Sequence, residues 1–478
     1  MREVTFAPRT IAGLEGLARP SDLDRLRRAG SAAAARLEGR TLWNVNSTAE
    51  GGGVAELLHQ LLGYVVEAGI RCRWMVVEGD QDFFRVTKRI HNRLHGSAGD
   101  GGPLGDDERD VYLNVLRREL TRFLDVARPG DVAILHDPQT AGLTGSLVDA
   151  GLHVVWVCHV GIDTPNDVAR SAWDFLRGEV ERAHAFVFSR RAYVWKGLDR
   201  RKATVIPPCI DPTSAKNTDI GSADVDAVLS AASVLSNGEE RDEVTVELPA
   251  VGEVRIRHRA IAVEETPAPV DRPLVVQVSR WDRLKDHLGV LQGFARHVPR
   301  GLGAHLLLVG PDASTVADDP EGADVLAELR EAWDRLPPKQ RASVHVLSLP
   351  VEDRLENAVV VNALQRQAEV VVQKSLAEGF GLTVAEAMWK RRPVVGSRVG
   401  GIQEQITDGS SGLLVDPGTR KAFGGAVSSL IRDVGFAQAI GHAARRRVRA
   451  RYLPPHFLGA HLELVDRILR EQPAARPR

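Results

Sequence analysis

From position 41 onward, short apolar runs alternate with longer stretches of helical periodicity. In the first half the runs are Thr41–Val45, Cys72–Val77, Val132–His136, Val154–Cys158, Phe186–Phe188 and Thr204–Ile206. In the second half they are Leu274–Val278, His305–Val309, Val344–Leu347, Val370–Gln373, Val394–Gly396 and Leu413–Val415. Between the first two runs, Val54 to Ala68 carries the spacing of an amphipathic helix, and Thr383–Lys390 fits a helix in the second half. Strands alternating with helices predict mostly parallel sheets covered on both faces. Two separate sets of strands predict an α/β protein of two doubly wound, Rossmann-like domains rather than one large sheet.

Residues 1–40, Ala-rich from Ser31 to Leu37, read as a helical N-terminal extension. The first Rossmann-like domain is expected over 41–206, rejoined by the final helix at 455–478, and the second over 207–454. The crossings fall near Pro207-Pro208 and Tyr452–Pro455. Within the irregular stretch Thr213–Arg272, Val244–Leu248 and Val254–His258 alternate with period two around Pro249-Ala250-Val251-Gly252. That pattern predicts an inserted surface hairpin, which offers a contact for a homodimer. The Pro-containing Glu265–Pro269 reads as a linker, and the polar tail after Gln472 as frayed.

The composition is that of an ordinary folded protein: 43% hydrophobic and 26% charged residues in 478. It excludes wholesale disorder, a collagen-like fibre and a small disulfide scaffold. With 62 basic and 63 acidic residues the net charge is −1, so no global field draws the chain to nucleic acid or an anionic membrane. No run approaches the roughly 18 apolar residues of a membrane span, and Met1–Thr5 holds no signal core. A cytoplasmic protein with neither nucleic-acid nor membrane partner is expected. Cys72, Cys158 and Cys209, odd in number and set in or beside apolar segments, read as buried reduced thiols.

Candidate chemistry gathers where strands end. After the first strand come Asn46-Ser47-Thr48-Ala49-Glu50-Gly51-Gly52-Gly53 and then a helix. Such a turn lets backbone amides approach a phosphate, or is simply tight. Its spacing is neither that of the dinucleotide motif nor that of a P-loop. After Leu274–Val278 come Arg280 and Lys285, two cations placed to clamp a diphosphate at the carboxyl edge of a parallel strand; ordinary surface charges are the other reading. The segment Glu378-Gly379-Phe380-Gly381-Leu382 leads into the helix that carries Glu386. Its glycines let the amides of Phe380, Gly381 and Leu382 face an anion. Glu386, one turn into the helix, suits a vicinal diol, and Glu378 another sugar. His159 and His136-Asp137-Pro138-Gln139 end two neighbouring strands of the first half. His91 and His95 are four apart on a helix but lack the glutamate and third ligand of a zinc site. Asp22-Leu23-Asp24 and Asp224-Val225-Asp226 follow no apolar strand and are discounted as metal motifs. The basic run Arg445–Arg451 reads as a solvated helix face.

At these residues the chain resembles the retaining glycosyltransferases of family four, which have the GT-B fold: two Rossmann-like domains with a cleft between them. Arg280, Lys285 and the Glu378…Glu386 pair around Gly-Phe-Gly match that family's donor signature. Val45–Thr48, Gly51–Glu56, Asp82–Lys88, His136–Gln139, Ile206–Pro212, Asp319–Gly322 and Glu378–Trp389 are similar to the trehalose glycosyltransferring synthases. Where that branch has Ile-Asp-Leu after the histidine, this chain has Val160-Gly161-Ile162 and then Asp163. The resemblance implies transfer of glucose from ADP- or UDP-glucose to free glucose, reversibly, giving α,α-trehalose. It implies a catalytic set of His159, Arg280, Lys285 and Glu378. The donor would be held by Gly51, Gly52, Gly53, Arg280, Lys285, Phe380, Gly381, Leu382 and Glu386, with Glu386 on the ribose and Glu378 on the glucosyl hydroxyls. Asp137, Gln139 and His159 would lie on the acceptor side, His159 also touching the transferred sugar. No cofactor is implied, and two cations in place of a metal imply that no divalent ion is essential. A trehalose phosphorylase, a transferase with another small acceptor, a nucleotide-sugar epimerase and a non-enzymatic nucleotide-sugar-binding regulator remain as alternatives.

Overall fold

The structure, a computed structural model, describes residues 1–50, 52–236, 242–263, 267–312 and 320–471, with only the backbone of Pro320 included. The chain divides into two compact units, Met1–Asp211 with Tyr452–Arg478, and Pro212–Arg451. Both are α/β, and each is built around a seven-stranded sheet.

The first unit contains β1 (Arg2–Val4), β2 (Leu42–Asn46), β3 (Cys72–Val76), β4 (Val132–His136), β5 (His153–Cys158), β6 (Ala185–Phe188) and β7 (Ala203–Val205). Their order is β1-β3-β2-β4-β5-β6-β7, parallel throughout except for β1. The sheet is doubly wound, and its order reverses between β2 and β4. Trp43, Phe83, Trp156 and Phe186 anchor the core. Residues 1–40 are not wholly helical: Arg2–Val4 pairs antiparallel with β3, Val4 opposite Trp74. A three-residue strand is too short to show a period. The helix that follows, Pro20–Arg36, begins on a proline, whose missing N–H costs nothing in the first turn. It is tied to the last helix, Pro454–Glu471, by an Arg25–Glu463 ion pair at 2.6 Å.

The second unit begins with the helix Ser222–Ala231 and the short β8 (Leu235–Ser236). Next come β9 (Val244–Leu248), β10 (Gly252–Ile256), β11 (Ile261–Ala262), β12 (Ala268–Pro269) and β13 (Leu274–Val278). The remaining strands are β14 (His305–Pro311), β15 (Val344–Leu349), β16 (Val370–Gln373), β17 (Val394–Ser397) and β18 (Leu413–Val415). The main sheet runs β11-β15-β14-β13-β16-β17-β18, with only β11 antiparallel. Its order reverses between β13 and β16. Val275, Leu306, Leu308, Val346, Val372 and Phe423 form its core.

The expected hairpin is β9–β10, with Leu248 opposite Gly252. It is less superficial than its alternation suggests. Val246, Leu248, Val254 and Ile256 are buried on one face. The expected linker is also partly built in. Ala268–Pro269 pairs with β8, Ala268 is 1% exposed, and 264–266 lie outside the described residues. Among the described residues no helix is long and apolar enough to cross a membrane.

Candidate functional site

Doubly wound sheets bind ligands outside the carboxyl ends of the strands where the order reverses. In the second unit those ends are the segments after β13 and β16, and they hold most of the expected donor residues. After β13 the chain passes Arg280 and a single 3-10 turn, Arg283–Lys285, to Asp286. Asp286 sits in the left-handed region at φ 53° and caps the helix His287–His297 by accepting from the amide of Gly289. A non-glycine residue held there costs energy and marks a turn fixed by its surroundings.

Across from it, Lys285 Nζ lies 2.7 Å from Glu378 Oε2, and the two side chains are 16% and 10% exposed. Ser375 Oγ donates to the same carboxylate oxygen at 3.1 Å. Lys374, last residue before the turn, is buried and ion-paired with Asp286. The two cationic–anionic pairs therefore tie the β13 and β16 turns together. Arg280 is half exposed, with Nη2 3.4 Å from Asp282 Oδ2.

Gly381 takes φ 83° at the start of the helix Leu382–Trp389, a conformation that costs a side chain strain. Phe380 and Leu382 flank it, so the first amides of the helix open at this turn. The turn is braced from behind. Gln405 Nε2 donates to Phe380 O at 2.6 Å and to Gly381 O at 3.2 Å. Gly401 packs so close that a Cβ there would lie 2.3 Å from Phe380 Cα. Glu386, on the same helix, is only 2% exposed, and Lys216 Nζ lies 3.8 Å from its Oε1.

In the first unit the reversal falls between β2 and β4. Asn46, last residue of β2, donates to Thr48 O at 2.6 Å and accepts from Trp74 Nε1 at 2.8 Å, which shapes the glycine-rich loop. Gly52 has φ 115° and Gly53 opens the helix Gly53–Glu67, while Gly51 lies outside the described residues. After β4, Asp137 takes a left-handed φ of 61°. Its Oδ1 accepts from the His159 amide at 2.8 Å, joining the ends of β4 and β5. Gln139, half-buried, follows on the single turn Asp137–Thr140. Asp163 is ion-paired with Arg190.

His159 belongs to a polar string running into the sheet. His136 Nδ1 lies 3.3 Å from His159 Nε2, His136 Nε2 lies 3.2 Å from Asn44 Oδ1, and Asn44 Nδ2 donates to Cys72 Sγ at 3.5 Å. Burial pushes His136 well below the usual histidine range, with the neighbouring His159 and His461 acting in the same direction. Burial also lowers His159, against the pull of Asp137, and raises the Asp137 carboxyl. Beyond His136 lies a cavity of about 30 Å³ lined by Asn44, His136, His461, Phe457 and aliphatic side chains. That is room for a water or two, not a sugar. All three cysteines are buried free thiols, Cys72 being pushed up to about 12 by desolvation.

The structure thus brings Arg280, Lys285, Glu378, Phe380, Gly381, Leu382 and Glu386 to one sheet edge. It brings Gly52, Gly53, Asp137, Gln139 and His159 to another. Asn44, Lys216, Lys374 and Gln405 join these residues only in the folded chain. Asn44 and Lys374 had a signal: a polar residue within or closing an apolar parallel strand. Lys216 and Gln405 had none.

A model of the trehalose synthase N-terminal domain matches residues 44–195, and one of glycosyl transferases group 1 matches 259–447. The trehalose synthase of Pyrococcus horikoshii is 34% identical over 437 residues, which is 91% of each chain. The chain belongs to the trehalose synthase family. The family's enzyme from Rubrobacter xylanophilus is 35% identical over 442 residues, 91% of this chain and 92% of that one. The α,α-trehalose 6-phosphate synthase of Burkholderia multivorans is only 16% identical. It superposes with a TM-score of 0.65 over 90% of this chain and 99% of its own, so the two share the GT-B fold. A member of this trehalose synthase family is a hexosyltransferase of trehalose chemistry.

Proposed function

We propose that the protein moves glucose from a nucleoside diphosphate glucose to free glucose, giving α,α-trehalose with the anomeric configuration kept, in a reversible reaction. The observation that carries this reading is the Lys285–Glu378 pair at 2.7 Å beside the left-handed Gly381 turn. Together they set a cation, a carboxylate and helix N-terminal amides at one strand edge. Charge develops on the departing diphosphate, and fixed donors aimed there lower the barrier. Arg280, Lys285 and the amides from Phe380 to Leu382 fill that role, with the Gly51–Gly53 loop as a further phosphate contact. Glu378 holds glucosyl hydroxyls and Glu386 the ribose. His159 touches the transferred sugar, and Asp137 and Gln139 serve the acceptor.

The bond from C1 to the phosphate oxygen breaks with its electron pair going to the diphosphate. The acceptor's anomeric oxygen attacks the same face of C1, and its proton passes to the leaving phosphate. The cations carry the phosphate charge, so the reading expects full activity in chelator. The test is incubation with ADP- or UDP-glucose, with and without glucose. Glucose-dependent release of the nucleoside diphosphate, with a non-reducing disaccharide formed, supports the reading. Glucose 1-phosphate made from trehalose and phosphate, with nucleotide-sugar inert, would replace it by a phosphorylase, in which Glu386 has no ribose to hold.

A further inference from the structure

We infer that Asn44 and His136 are positioning residues that lock neutral His159 as its Nε2–H tautomer, leaving Nδ1 as a bare acceptor for a sugar hydroxyl. The use of that acceptor rests on the sugar contact proposed above; the tautomer does not. The Asn44 amide nitrogen donates to Cys72 Sγ, so its oxygen is the atom that meets His136 Nε2 at 3.2 Å. An amide oxygen only accepts, so His136 Nε2 must carry hydrogen. His136 is buried and held neutral, so it has one ring hydrogen and its Nδ1 is a lone pair. That lone pair meets His159 Nε2 at 3.3 Å, and the bond forms only if His159 Nε2 is the donor.

The ring geometry supports this. The two imidazole planes differ by 9° and their centroids are 5.6 Å apart. Two ring radii added to a 3.3 Å nitrogen–nitrogen contact account for that separation. The rings therefore meet edge to edge in one plane, as an in-plane hydrogen bond requires, and do not stack. The backbone of His159 is pinned independently, its amide to Asp137 Oδ1 at 2.8 Å and its carbonyl accepting from Ser189 Oγ at 3.4 Å. Ring and backbone are thus both fixed, and Nδ1 is the ring atom left for a ligand. His461 is distinct from this string. Its Nδ1 faces the carbonyl of Phe457 at 2.9 Å, so it donates there.

The test is a long-range proton–nitrogen correlation spectrum of the full chain with ¹⁵N-labelled histidine. The His159 signals are identified by their loss in His159→Gln. The expected pattern is an unprotonated Nδ1 and a protonated Nε2. His136→Gln keeps an acceptor opposite His159 and should keep that pattern. His136→Leu should give a mixture of tautomers and a roughly tenfold lower kcat/KM. A wild-type spectrum showing Nδ1–H would overturn the inference, since it means the Asn44 amide is turned round and every donor in the string reversed. If instead the spectrum is as expected but His159→Ala retains full transfer activity, the tautomer stands and the sugar contact falls.

Discussion

Lys285→Ala separates two roles for one cation. Lys285 faces Glu378 at 2.7 Å, so it either neutralises that carboxylate or acts on the substrate directly. Stranding one member of a fully buried pair costs about 3–5 kcal/mol. Here the partners are 16% and 10% exposed, and Ser375 Oγ still donates to Glu378 at 3.1 Å. A loss of about 2 kcal/mol is therefore expected, or about 4–8 °C in Tm for a unit of this size. If Lys285 stabilises charge on the leaving diphosphate, turnover falls on the order of a hundredfold, equivalent to about 2.7 kcal/mol of barrier. The double variant Lys285→Ala/Glu378→Gln removes both charges and should regain most of the lost Tm. Its turnover should stay low, because the phosphate still lacks its cation and the glucosyl hydroxyls have lost their carboxylate. The assay is nucleoside diphosphate released from ADP- or UDP-glucose at saturating glucose, with thermal unfolding alongside. Turnover that recovers together with Tm in the double variant would refute direct action on the diphosphate.

Two further outcomes are expected. In Gly401→Ala the new Cβ would meet Phe380 Cα at 2.3 Å, Phe380 O at 2.6 Å and Gly379 O at 2.8 Å, all backbone, so the Gly379–Gly381 turn must move. About 1–3 kcal/mol of stability should be lost together with nucleoside diphosphate affinity, and wild-type affinity by titration calorimetry would show that this turn does not hold the nucleotide. Burial lowers His461 from an ordinary 6.5 to about 4, so as pH falls the unfolded chain takes its proton first. Stability should then drop from about pH 6.5 until about pH 4, by roughly 3 kcal/mol for this group, and level off below. His461→Gln should flatten that part of a Tm-against-pH curve, and an unchanged acid slope would contradict the burial argument.

Strand positions were legible where the parallel strands are predominantly apolar and sit between helical stretches. Leu274–Val278, Val370–Gln373 and Leu413–Val415 coincide with apolar runs from end to end. The strands that escaped, Arg2–Val4, Leu235–Ser236, Ile261–Ala262 and Ala268–Pro269, have two or three residues, and only their partners make them strands. The hairpin was legible as a hairpin, but its alternation could not say that the apolar face of Val246 and Val254 is covered. Glycine turns and charged residues after strands located the candidate chemistry for the same reason: a parallel sheet leaves its carboxyl edge open. What stayed hidden is pairing. Lys285 and Glu378 stand 93 positions apart, and Lys374 and Asp286 stand 88 apart. Only the order β13-β16 in the folded sheet makes each pair neighbours. The same holds for Asn44, His136 and His159, which lie on or beside β2, β4 and β5. Asp137 and Asp286 could not be read as left-handed from residue type, since aspartate is also common in ordinary turns. Their conformations are imposed by the contacts that hold the turns, Asp137 by the His159 amide and Asp286 by Gly289 and Lys374. Asp137 and Asp286 each lie at the reversal of strand order in their unit, where a fold must fix a loop that binds something, whereas the other left-handed non-glycine residues, Ser233, Ala250 and Arg391, lie in turns away from it.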